Sequence, residues 1–293
     1  MTAWLFWSAI LGLFASCEKE VEIVPNELET QVVVEATIEN GKPPIVYLTN
    51  SLGFFSTLSV DDLAKSFIRN ALITVQDGAK TVTLKEYAIP MGTATFYYYS
   101  VDSSNPAQIM VGQLGASYRL NITIQGKNYT AQTTIPQVSR KMDSVWWTPA
   151  PSNPDTNKVV IFTKITDPKG FGNYVRYFTS VNDSAFLPGL NSVYDDQIID
   201  GTTYDAQVYR GVDRNVEMDE DEFGYFKKGE KVDIKLCNID KATFDFWRTW
   251  EQNQSNIGNP FGVPVKILSN LSDGAIGYFG GYASQVVRIQ IPR

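Results

Sequence analysis

Histidine is missing from all 293 residues. The chain therefore has no Ser-His-Asp or Cys-His machinery, no His-ligated zinc and no imidazole for acid–base steps. Carboxylates are what remains for chemistry. A glycosidase pair of Asp or Glu is compatible with the composition, but it is defined by separation in space, and no local motif marks a general acid. No Ser-x-x-Lys stands at a strand-to-helix junction. The densest charge cluster is the acidic run from Asp213 through Glu217, Asp219 and Asp221 to Glu222. Calcium takes six to eight oxygens, which such a run can supply, but the Asp-x-Asp-x-Asp-Gly spacing of a calcium loop is absent. The run is read as a solvated loop, with Asp213, Glu217, Asp219 and Asp221 as the alternative cation ligands. Asp195, Asp196 and Asp200 precede Gly201 and read as a turn with capping carboxylates, with a cation site as the alternative. No cofactor is expected, and catalytic residues are assigned to none of these positions.

Aromatic residues are the candidates for contact with a ligand or partner. Trp146 and Trp147 are adjacent, so in a strand they face opposite sides. Tyr97, Tyr98 and Tyr99 divide two to one in the same way. Rings left exposed on a β-sheet can stack on sugars or press against another protein; the alternative is that the rest of the chain covers them. Trp247 and Trp250 lie three apart on one helical face and are expected in the core. Gly274, Gly277, Gly280 and Gly281 lack the spacing and the strand-to-helix setting of a phosphate cradle, so tight β packing is the better reading.

Two cysteines are present. Cys237 sits in the alternating run 231–237 and reads as a buried, inert thiol. Cys17 follows sixteen uncharged residues that end in Leu13-Phe14-Ala15-Ser16, an arrangement resembling a bacterial lipobox. The apolar run is too short to span a bilayer and meets Glu18, Lys19 and Glu20. The expected processing is cleavage of residues 1–16 as a signal peptide, with acylation of Cys17 and residues 17–29 as a lipidated tether. The net charge of −7 argues against nucleic acid as a partner.

The elements that must position these residues are mostly strands. Gln31–Ile38 closes on Asn40-Gly41, Ala71–Val75 on Asp77-Gly78, and Tyr118–Ile124 turns at Gly126 into Tyr129–Ala131. About seven short strands up to Pro136 predict an immunoglobulin-like β-sandwich over 30–137, in which only Val60–Phe67 looks helical. A second β-rich domain, 138–293, opens at Met142–Trp147 and continues with Lys158–Ile165 and Asn173–Thr179. Residues 180–229 show little pattern. One helix is expected over about 240–253, with Asp240 as N-cap, and strands Ala275–Tyr282 and Val286–Ile291 close the chain.

Several segments resemble a Bacteroidota lipoprotein family, domain of unknown function 4249. They are Val32–Ala36, Asp167-Pro168-Lys169-Gly170-Phe171-Gly172-Asn173-Tyr174, Asp195–Gly201 and Gly229–Val232. Asn259-Pro260-Phe261 and Ser269-Asn270-Leu271 follow, leading into Gly274–Tyr282. The order of the pieces covers nearly the whole mature chain. The resemblance implies an outer-membrane lipoprotein, often encoded beside a TonB-dependent receptor, and it carries over no catalytic residue. The acidic stretch after Cys17 resembles the signal by which such lipoproteins reach the cell surface. The expectation is a surface-facing, lipid-anchored, non-catalytic binding or accessory subunit with a TonB-dependent receptor as partner. A glycan hydrolase using a carboxylate pair and a purely structural envelope protein are the alternatives.

Overall fold

Asn40-Gly41, Asp77-Gly78 and Gln125-Gly126 each reverse the chain between two paired strands. Gly41, Gly78 and Gly126 all have positive φ, as such tight turns require. The structure is a computed structural model that describes residues 30–293 apart from 53–58, 152, 218, 220, 257–261 and 264. Cys17, the tether and Asn259-Pro260-Phe261 lie outside the described residues.

The fold is mostly β. The N-terminal strands are β1 (Val32–Glu39), β2 (Ile45–Asn50), β3 (Leu72–Asp77), β4 (Lys80–Thr83), β5 (Lys85–Met91), β6 (Ala94–Ser100), β7 (Ser117–Ile124) and β8 (Lys127–Thr134). The later strands are β9 (Lys141–Pro149), β10 (Lys158–Thr166), β11 (Tyr174–Val181), β12 (Leu187–Tyr194), β13 (Thr203–Val208), β14 (Phe226–Lys227), β15 (Lys231–Ile239) and β16 (Ile276–Gln290). Helix α1 is Val60–Ser66, capped by Ser59 in a capping box with Asp62. Helix α2 is Lys241–Ser255, and Asp240 caps it by accepting the Thr243 N–H at 2.9 Å.

One eight-stranded sheet, ordered β12-β11-β15-β16-β1-β2-β6-β5, runs through strands from both ends of the chain. Its centre is the parallel pairing of β1 with β16, Val33 opposite Ile276 through Glu39 opposite Tyr282. The two strands expected at the C-terminus are thus one continuous strand of 15 residues. It pairs with β1 along its first half and with β15 along its second. Two smaller sheets, β4-β3-β7-β8 and one with β9, β13 and β14 arranged around β10, complete the structure.

Strand alternation decides what covers each face. On β16, Phe279 and Ala283 join Val34, Ala36, Leu48, Ile73, Leu120 and Ile122 in the core beneath the first small sheet. The alternate residues Tyr278 and Tyr282 join Phe244, Phe246 and Cys237 beneath α2. On β15, Val232 and Ile234 enter a core with Val159, Ile161 and Phe226 of the second small sheet. Through the β15–β16 register these two residues stand opposite Ile289 and Val287, on the same face as Phe279. Both small sheets therefore cover one face of the large sheet, and α2 covers the other. The expected first sandwich is present, and it borrows part of its large-sheet wall from β16.

Strands β5, β12 and β13 were not legible in the sequence. β5 contains Pro90, which a sheet tolerates on an edge strand, and β5 is the outermost strand. β12 carries Pro188 and Gly189 and pairs with β11 through a register shift between Arg176 and Phe178.

Candidate binding site

The second sandwich is incompletely filled. Between the large sheet and the β9–β10–β13 sheet lies a cavity of about 490 Å³. Val175, Tyr177, Ile234 and Leu236 line it from the large sheet, and Thr163, Ile165, Tyr204, Ala206 and Val208 from the small one. Ile165, Val175 and Leu236 are also buried against one another, so the cavity opens beside a packed cluster. Asp195, Ile198 and Ile199 from the β12–β13 loop and Arg248 from α2 form its mouth. The volume falls in the range of small-molecule sites, about 300–1,000 Å³.

Two crossovers between the sheets meet at this end of the sandwich. Residues 167–173 join β10 to β11, and residues 195–202 join β12 to β13. Asp196 fastens one to the other: its carboxylate accepts the N–H groups of Gly172 at 3.1 Å and Asn173 at 2.8 Å, and the Asn173 amide at 3.0 Å. Burial pushes its carboxyl upward, but these backbone and side-chain donors prevail and hold it below the usual carboxylate range. Asp200 accepts the Gly170 N–H at 2.6 Å. Asp167 is fully buried, takes the Arg140 Nε–H at 2.6 Å and accepts the Gly201 N–H at 3.3 Å. Oxygens of Asp167, Asp196 and Asp200 lie within 4.8 Å of one another. Their donors make this a latch between loops. Arg140 is fully buried, and its Nη1 and Nη2 have no hydrogen-bond partner among the described residues.

A second buried polar network fastens α2. Glu251 accepts the Ser192 backbone N–H at 3.0 and 3.1 Å and also its hydroxyl. Arg176 donates to Ser192 Oγ at 3.0 Å and lies over the Trp247 ring at 3.4 Å. Trp247 and Trp250 are partly buried and pack against the core that holds Tyr278.

The aromatic candidates scatter. Tyr99 is buried, its single O–H proton within reach of both Glu86 Oε2 at 2.9 Å and Ile68 O at 3.0 Å, and its oxygen accepts the Ala71 N–H; burial pushes its hydroxyl up to about 12. Tyr97 lies under the Arg69 guanidinium at 4.1 Å. Tyr98 stacks on Tyr87 and approaches Tyr47 on the opposite face. Trp147 packs against the second core, while Trp146 stacks on Phe162 on the outer side. The two-to-one division of the tyrosines and the opposed tryptophans follow from strand geometry, but none of these rings lines the cavity. Asp213, Glu217, Asp219 and Asp221 are exposed. Asp213 and Asp219 accept N–H groups two residues ahead, from Asn215 and Asp221. Among the described residues, the carboxylates that converge are Asp167, Asp196 and Asp200 instead. Arg248, Ile198 and Tyr204 carried no signal in the sequence, because a cavity between sheets leaves no periodicity of its own.

The profile of a family described as Domain of unknown function (DUF4249) matches residues 18–288. No curated protein matches the chain. The segments 167–174 and 195–201, quoted above for the resemblance, are the two loops latched at the cavity mouth.

Proposed function

We propose, from the premise that this chain belongs to the family of domain of unknown function 4249, that it is a non-catalytic binding protein of the outer membrane. In this reading acylated Cys17 anchors it at the cell surface through residues 18–29 as tether, and a TonB-dependent transporter or another envelope assembly is its partner. The cavity between the sheets is the observation that supports a binding role. Its walls are mainly carbon, and the three carboxylates beside its mouth are held by N–H donors. A general acid needs a raised pKa and a free proton, whereas Asp196 is held low. That arrangement favours binding over hydrolysis.

The test is a pull-down of the tagged, natively expressed protein from gently solubilised membranes. The expected result is stoichiometric recovery of an envelope transporter; recovery of the protein alone would count against the accessory role. The variant Cys17→Ala should move the protein from the membrane to the soluble fraction, and retention at the membrane would overturn the anchor.

A further inference from the structure

The chemistry of the ligand can be taken from the walls and mouth of the cavity, on the reading that the cavity is where this protein binds. We infer that it takes one aliphatic chain bearing an acidic head group, with the chain between the sheets and the head at Arg248.

The interior offers little besides carbon. Ile165, Val175, Ile234 and Leu236 present branched aliphatic surface, and the uncharged polar side chains among the lining residues are few: Thr163, Tyr177, Tyr194, Tyr204 and Gln207, of which Thr163 and Tyr194 are already engaged. Thr163 donates to Ser144 O at 3.1 Å, and Tyr194 donates to Asn191 O at 3.0 Å. A sugar, nucleotide or peptide carries more donors and acceptors than these few groups can pair, and would bury the rest without partners there. Tyr177 and Tyr194 stack on each other with centroids 6.2 Å apart, so these two ring faces are partly taken up before a flat ligand arrives. A flexible chain fits such an irregular aliphatic wall.

Among the described residues that line the cavity, charge stands only on Asp195 and Arg248. Arg248 is half exposed and reaches Asp245 at 3.4 Å. A guanidinium has five N–H donors, and with one on Asp245 among the described residues the others remain for an anionic oxygen. Asp195 shares the mouth with its Oδ1 accepting the Gln197 N–H at 3.4 Å, which makes a cationic head the competing case.

The mouth also has a carbon approach. Ile198 is 96% exposed while lining the cavity, and Phe171 on the neighbouring loop is 75% exposed. Both stand on loops that Asp196 and Asp200 hold together. Two apolar tips on braced loops let a chain leave a bilayer or micelle without crossing water fully exposed.

The experiment uses residues 18–293, which carry all of the described fold. They are titrated calorimetrically with palmitate, hexadecanol, hexadecyltrimethylammonium and naphthalene below their aggregation limits. Palmitate is expected to bind one to one, with hexadecanol about tenfold weaker for want of the charged hydrogen bond. Arg248→Ala should bring palmitate down to the affinity of hexadecanol and leave hexadecanol unchanged. Ala206→Trp should fill the cavity and remove binding of both chains. Should that variant fail to fold, Ile198→Asp at an exposed tip should slow transfer of palmitate from vesicles while keeping the melting temperature. Naphthalene binding in place of the chains, blocked by Ala206→Trp, would overturn the aliphatic ligand and leave the cavity a binding site. Preference for the ammonium would overturn the acidic head. No binding by any probe would overturn both the inference and the cavity as the site.

Discussion

Cys237 shows what burial does to one side chain. It is fully buried on β15 beneath α2, with Ser284 Oγ 3.2 Å from its sulfur. Burial pushes the thiol from its ordinary value near 9 up to about 11. Folding therefore favours the neutral thiol. That contribution is whole below pH 9 and is lost as pH rises from about 9 toward 11, because the unfolded chain ionises first. Buried tyrosines such as Tyr278 also resist ionisation, so the thiol's part appears as a difference. Urea midpoints of the unaltered chain should fall more steeply between pH 9 and 11 than those of Cys237→Ala. A thiol reagent should label Cys237 only after unfolding; rapid labelling of the native protein would contradict its burial.

At the scale of elements, the pairing of β1 with β16 depends on Gly277. Its φ is +112°, and a Cβ there would stand 1.9 Å from the Val34 carbonyl oxygen, a backbone atom of the paired strand. Gly274 also has positive φ, at +75°, but a Cβ there meets nothing within 4 Å. Gly277→Ala should therefore cost more than about 3 kcal/mol through strain and displacement of the strand. Gly274→Ala should cost only about 1–2 kcal/mol, the left-handed strain alone. Denaturant unfolding of the two variants checks the contrast, and equal losses would show that the close approach of Val34 is not what requires the glycine. The Asp240 cap works at the same scale. Besides capping α2, its other oxygen accepts Thr133 Oγ1 at 2.7 Å and the Thr134 N–H at 3.0 Å on β8, so one carboxylate joins the helix to the N-terminal half.

The whole molecule is organised by the shared sheet. The core of the N-terminal sandwich includes Ala275, Phe279 and Ala283, more than 130 residues beyond β8. The division at 137/138 thus separates two stretches of sequence, the second of which supplies part of the first's core. Calorimetry should give a single unfolding transition whose van't Hoff and calorimetric enthalpies agree. Residues 18–137 expressed alone should lack a cooperative transition, since β1 would lose its β16 partner and expose an edge. Two resolved transitions would mean that the halves fold independently.

Much of this protein was decided within short stretches of sequence. The turns at Asn40-Gly41, Asp77-Gly78 and Gly126, helix α1, Asp240 as a cap and the opposed faces of Trp146 and Trp147 all follow from dihedral preference and periodicity across a few residues. The sequence alone also excluded histidine chemistry and carried the family. Tertiary structure decided the rest. β12 and β13 are strands because their partners hold them, in spite of Pro188 and Gly189. Asp167, Asp196 and Asp200 form one latch because two crossovers end side by side. The parallel pairing of β1 with β16 joins residues about 240 positions apart, a separation at which no local pattern specifies register. The cavity exists because two sheets, each fixed by its own pairings, stand apart where Ala206 and Thr163 are too small to fill the space between them.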